Sequence, residues 1–112
     1  MAFGDLREFL SRLENEGELY RVESEVDSRY EIGAICRKVV NKGGPALYFE
    51  NVKGYEFPMV CNIWGTRKRY AMGLEISEEE LREEWNKRME KGGIEPKVVS
   101  DGPCKENKKK IK

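Results

Sequence analysis

The stretch Gly43–Leu74, GGPALYFENVKGYEFPMVCNIWGTRKRYAMGL, constrains the fold more than any other part of the chain. It opens on Gly43-Gly44-Pro45. Glycine tolerates a left-handed helix cap and proline cannot continue helical backbone, so this triplet stops a helix. Ala46–Phe49 follows as a nearly continuous apolar run, the pattern of a strand buried on both faces. Lys53-Gly54 centres a loop over Asn51–Glu56. Pro58–Trp64 predicts the next strand, with proline at its first position, where no ladder bond is lost. Gly65-Thr66 then opens a helix with Thr66 as its cap. Strands this short, bounded this closely by helices, point to a small sheet with helices packed on it.

The flanking sequence supplies those helices. Asp5 is a capping residue with Glu8 three residues on, and Leu6, Phe9, Leu10 and Leu13 form an apolar stripe that ends at Gly17. Leu19–Val22 is a short strand. Asp27 caps a second helix whose apolar side is Ile32, Ile35, Cys36 and Val39, with Val40 alongside. Strand, helix and strand with short links imply a right-handed crossover and a parallel pair. Ser77 and Glu80 make a capping box for a fourth helix, Ile76 staples onto Leu81, and Leu81, Trp85 and Met89 follow at i+4 steps before Gly92-Gly93. Trp64 and Trp85 are assigned to the core. Lys97–Val99 reads as a last short strand, and Asp101-Gly102-Pro103 as a turn. The fold class is α+β: a small mixed β-sheet with flanking helices in a single domain, residues 1–104. A tail, residues 105–112, carries five lysines and almost nothing to bury, and is expected to be disordered.

Bulk properties remove several classes of function. The 112 residues suffice for one domain and one modest core. Twenty-one cationic and 21 anionic side chains cancel, so no global field favours nucleic acid or an anionic membrane. No apolar run approaches the ~18 residues of a membrane span. The start, MAFGDLREFL, is polar by its fifth residue and has no signal-peptide core. A cytoplasmic protein is expected. Histidine is absent, which removes the commonest general base near neutral pH. Cys36, Cys61 and Cys104 stand far apart with no CxxC pair, a spacing that suggests neither a disulfide framework nor a zinc site. Reduced, structural thiols are expected.

One junction could hold an anion. Gly65-Thr66-Arg67-Lys68-Arg69 lies where a strand passes into a helix, and free backbone N–H groups there, with the helix dipole, favour negative charge. Thr66, Arg67 and Arg69 are the anion-contact candidates. The spacing is not that of a phosphate-binding Walker loop, and the alternative is an ordinary capped helix with solvated basic residues. Asn62, polar inside an apolar strand, must find hydrogen-bond partners if buried; it either pins the Gly65-Thr66 turn or faces a ligand. Glu78, Glu79, Glu80, Glu83 and Glu84 read as a solvated helix start. From the residues alone there is no nucleophile–base pair, metal cluster or cofactor fingerprint.

Four phrases in order resemble the N-terminal domain of the UbiD family of decarboxylases: DLREFLSRLENEGEL (Asp5–Leu19), EVDSRYEIGAICRKV (Glu25–Val39), the whole of Gly43–Leu74, and DGPCKE (Asp101–Glu106). The resemblance covers roughly residues 5 to 106. It implies an enzyme class that removes or adds CO2 on aromatic or α,β-unsaturated carboxylic acids, using prenylated FMN with Mn2+ and K+. It implies homo-oligomers acting on a small-molecule carboxylic acid, with no nucleic acid and no membrane span. The family's metal-binding Asn, His and Glu and its catalytic Glu-Arg-Glu set lie downstream of the position matched by Pro103-Cys104. No catalytic or metal-binding residue therefore transfers to this sequence, and no cofactor is expected to bind tightly to this chain alone. The resemblance leaves two readings: a fragment of a decarboxylase that needs a missing catalytic domain, or a stand-alone accessory subunit that docks on a partner chain.

Overall fold

A computed structural model describes residues 3–111. Met1 and Ala2 of the expected domain and Lys112 of the expected tail lie outside the described residues. Helix α1 (Leu6–Asn15) leads to strand β1 (Leu19–Val22), helix α2 (Glu31–Asn41), strands β2 (Ala46–Phe49) and β3 (Met59–Cys61), and helices α3 (Arg67–Leu74) and α4 (Leu81–Glu90). A single 3-10 turn, Pro103–Lys105, follows. The sheet order is β1-β2-β3. β1 and β2 run parallel, with Leu19 opposite Ala46 and Val22 opposite Phe49. β3 returns antiparallel, with Leu47 opposite Cys61. The architecture is the expected α+β, a mixed sheet with flanking helices.

The apolar run of β2 is continuous because the central strand has helices on both sides. Alternate side chains point to opposite faces. Leu47 and Phe49 join Val26, Ile32 and Val52 in one core, against Ile35, Cys36 and Val39 of α2. Ala46 packs with Phe9 and Leu13 of α1, beside Leu19, Ile63 and Met72. α1 starts as its sequence predicts: the Asp5 carboxylate accepts the Glu8 N–H at 2.9 Å. It stops where Gly17 takes a φ of 74°, a left-handed conformation that suits a residue without Cβ.

Five details differ from expectation, each for a physical reason. α2 begins at Glu31, after Tyr30 at φ 69°, so Asp27 is not its cap. The Asp27 carboxylate accepts the Arg29 N–H at 2.8 Å and organises the turn ahead of the helix. β3 ends at Cys61 because Asn62 turns left-handed at φ 58°. At α4, Ser77 donates both its N–H and its hydroxyl to Glu80, so only half of the capping box forms, and the helix begins at Leu81. Lys97–Val99 pairs with no strand, and Val98 is 92% exposed. Trp64 and Trp85 are not core residues but half-exposed. Trp64 is sandwiched in a stacked row, with ring centroids 5.1 Å from Phe9 and 5.2 Å from Tyr70.

The cysteines also depart from expectation. Cys36 and Cys61 form a disulfide that ties α2 to β3, with Cα atoms 6.9 Å apart. Cys104 is free and exposed. Sequence spacing hides the pair, because it is the packing of α2 over the sheet that brings position 36 above the residue opposite Leu47.

From residue 91 to 111 every residue except Gly102 is exposed. The radius of gyration, 17.5 Å, accordingly exceeds the ~13 Å of a compact chain of this length.

Candidate functional site

The Gly44-Pro45 turn and the β3–α3 junction meet at one buried side chain. Leaving α2, the chain must bend at Gly44-Pro45, and the carbonyls of that bend belong to neither helix nor sheet. Such groups need partners when buried. Asn62 supplies one set: its amide donates to the Pro45 carbonyl at 2.9 Å and to the Gly44 carbonyl at 3.3 Å. Asparagine tolerates positive φ better than most residues, which lets it end β3 and turn the following carbonyls inward. Thr66 then caps α3 by accepting the Arg69 N–H at 3.3 Å.

Arg69 fills the space so enclosed and is fully buried. Its Nε donates to the Ile63 carbonyl at 3.0 Å. Its Nη2 donates to the carbonyls of Gly44, at 3.0 Å, and Asn62, at 3.1 Å. Its Nη1 meets Glu18 at 3.1 Å. The planar guanidinium fork thus ties the α1–β1, α2–β2 and β3–α3 connections into one knot. Among the described residues no buried side-chain nitrogen or oxygen lacks a partner. Glu18 also receives Lys68 at 2.6 Å. Lys68, and then Arg69, hold its carboxyl below the usual carboxylate range against the opposing effect of burial.

Gly65 completes the knot by having no side chain. A Cβ there would collide with the Asn62 amide oxygen, lie 2.7 Å from Asn62 Cγ, and lie 2.8 Å from Arg69 Nη2. Gly65→Ala is expected to cost about 1–3 kcal/mol, as for other overpacked interiors, read as a lowered midpoint in urea denaturation. An unchanged midpoint would show that the knot yields without loss.

The structure does not bring the three anion-contact candidates together. Thr66 is engaged in capping, Arg69 faces inward, and Arg67 is exposed on the outer side of α3. The two arginines diverge because positions two apart on a helix do not face each other. The Asn62 side chain pins the Gly44-Pro45 turn, while its backbone carbonyl accepts the Gly65 N–H at 3.4 Å in the turn named from sequence. Sequence reasoning missed Glu18 and the inward course of Arg69. One signal was present: an arginine one turn after a cap, on the same helical face as the cap.

Arg67 instead lines a groove of about 330 Å³ between α3 and α4, with Tyr70, Leu81, Arg82, Trp85 and Asn86. Among the described residues no group of three or more His, Cys, Asp or Glu side chains could hold a metal ion. The donor set for the Mn2+ that the resemblance implies is therefore not provided by these residues, and Arg69 has no free face for a cofactor phosphate. No helix of the described residues is long and apolar enough to cross a membrane.

The site and its scaffold are thus a two-sided α+β unit whose three connections are knotted by a buried arginine. Residues 10–89 match the profile of the 3-octaprenyl-4-hydroxybenzoate carboxy-lyase N-terminal domain, and the chain belongs to this UbiD family. Solved structures agree. Vanillic acid decarboxylase of Sedimentibacter hydroxybenzoicus, in open and closed forms, is 39% identical over 94% of this chain, with a TM-score of 0.76. An evolved dimeric form of the UbiD-class enzyme HmfF from Pelotomaculum thermopropionicum, in complex with prFMN, is 36% identical over 79% of this chain, with a TM-score of 0.71. This chain spans 24% of the length of the first and 20% of the second.

Proposed function

We propose that this chain serves as the N-terminal domain of a UbiD-class decarboxylase, which removes or adds CO2 on aromatic or α,β-unsaturated carboxylic acids. The observation that carries this reading is the 39% identity to vanillic acid decarboxylase across 94% of the chain. In the whole enzyme, prenylated FMN with Mn2+ and K+ would be held by residues outside those described here. Prenylated FMN would supply the electron sink for loss of CO2. The present residues would position and brace the domain that holds it. The setting is cytoplasmic, the assembly a homo-oligomer, the substrate a small carboxylic acid, and residues 105–112 a solvated tail on the 1–104 domain.

The accessory-subunit reading has one observation in its favour. The Arg69 knot and both halves of the core close within residues 3–90, as expected of a unit that folds alone. The two readings share a first test. The purified chain, supplied with prenylated FMN, Mn2+, K+ and vanillic acid, is expected to release no CO2 and to give no heat of flavin binding. Release of CO2 would overturn both, because it would place the chemistry in this domain. The readings part on co-expression with a UbiD-class catalytic chain. The accessory subunit forms a stable complex with the full-length chain, whereas the fragment does so only when that chain lacks its own N-terminal domain.

A further inference from the structure

The α3–α4 groove has the composition of a binding surface. It is lined by two part-exposed aromatic side chains, Tyr70 and Trp85, by the buried Leu81, by Asn86, and by Arg67 and Arg82. No carboxylate lines it. Among the described residues, the ion pairs involve Arg12, Arg21, Lys68, Arg69 and Arg88, leaving Arg67 and Arg82 without a carboxylate partner. Glu83 and Glu84 of α4, with Glu80 just before it, line a separate depression with Ile76. Tyr70 is already held on one side by stacking on Trp64, so ordering it on binding costs little. Tryptophan, tyrosine and arginine are the side chains that dominate interface energetics when they cluster. The rings are 49% and 41% exposed, too open to enclose a small molecule as a ligand pocket does.

We propose that the α3–α4 groove docks an acidic protein segment, which lays an apolar or aromatic side chain between Tyr70 and Trp85 and sets flanking carboxylates on Arg67 and Arg82. Charge complementarity fixes the chemistry of the occupant: two unpaired guanidinium groups reject a basic segment and favour bidentate carboxylate contacts. The aromatic and aliphatic lining, Tyr70, Trp85 and Leu81, calls for an apolar or aromatic residue between the acidic ones.

A random dodecapeptide display library panned on the full chain tests this. Enriched sequences are expected to carry carboxylates on both sides of an aromatic or large aliphatic residue. Synthetic copies are expected to lose affinity about tenfold or more in the R67E/R82E variant and in Trp85→Ala, and to weaken as salt is raised. All these side chains are substantially exposed, so circular dichroism should be unchanged; the milder Arg82→Gln, with a several-fold loss, serves if it is not. Enrichment of basic or uncharged peptides, no enrichment, or unchanged affinity in both variants would overturn the proposal. Free benzoate binding as tightly as the peptides would overturn it in favour of a small-acid site. Concentration-dependent self-association abolished by R67E/R82E would overturn it in favour of a second copy.

Discussion

Replacing Arg69 by alanine is expected to cost the domain about 3–5 kcal/mol, the range for breaking a buried charge pair by removing one partner. The loss has several sources. The carbonyls of Gly44, Asn62 and Ile63 lose a buried donor, and Glu18 loses the more buried of its two cations. A buried acceptor left unmade costs more than the bond contributed when formed. Against a total of about 5–15 kcal/mol for a small domain, this leaves a marginal fold. Urea denaturation reads it directly, and Arg69→Lys should recover part of the loss. The ammonium keeps the charge but cannot address Ile63, Gly44 and Glu18 with one planar fork. A loss under about 1 kcal/mol, typical of a surface pair, would show that these connections hold together without the knot.

The second large effect belongs to the disulfide. Cys36 and Cys61 close a loop with a sequence separation of 25 residues. In the chain-entropy account, a loop of this length restrains the unfolded chain by about 3.5 kcal/mol. Reduction, or the double substitution Cys36→Ala with Cys61→Ala, should therefore lower the melting temperature by roughly 10–20 °C. Cys104→Ala should do almost nothing, because Cys104 is exposed in a 3-10 turn. The double substitution should not add simply to Arg69→Ala. Cys61 is the chain neighbour of Asn62, whose carbonyl Arg69 holds, and such closely linked sites are expected to couple. Calorimetry with and without reductant checks the first statement, and a mutant cycle checks the second.

Much of this fold could be read from residues because local signals agreed with one another. Asp5 with Glu8, Gly17, the unbroken Ala46–Phe49 run and the Thr66 cap each named an element that forms. Strands β1 and β2 fall on the residues expected, since an apolar run between turn residues leaves little choice of position. What escaped reading depends on contacts far apart in sequence. Glu18 and Arg69 are separated by 51 residues, and no local pattern marks them as partners. The Cys36–Cys61 bond exists only once α2 lies over the sheet. Asn62 was marked as a polar residue needing partners, yet which partners depended on where the Gly44-Pro45 bend came to rest. Trp64 and Trp85 follow helical and strand spacing but belong to a rim, because apolar character says a side chain can be buried and not that it will be. The same spatial logic divides the candidate anion contacts. Sequence places Thr66, Arg67 and Arg69 within four residues, and helix geometry sends them to different environments.

The central claim is that Gly43–Leu74 builds a brace, and that the reacting groups of a UbiD-class enzyme lie outside the residues described here. A chimera tests this most directly: the matched N-terminal segment of vanillic acid decarboxylase is replaced by this chain, and CO2 release from vanillic acid is measured with prFMN present. The account predicts that the chimera retains activity within about tenfold of the parent, a barrier change of about 1.4 kcal/mol. It also predicts that the activity melts away at lower temperature when Arg69→Ala is introduced. A chimera that folds and takes up flavin but releases no CO2 would contradict it, as would release of CO2 by this chain alone.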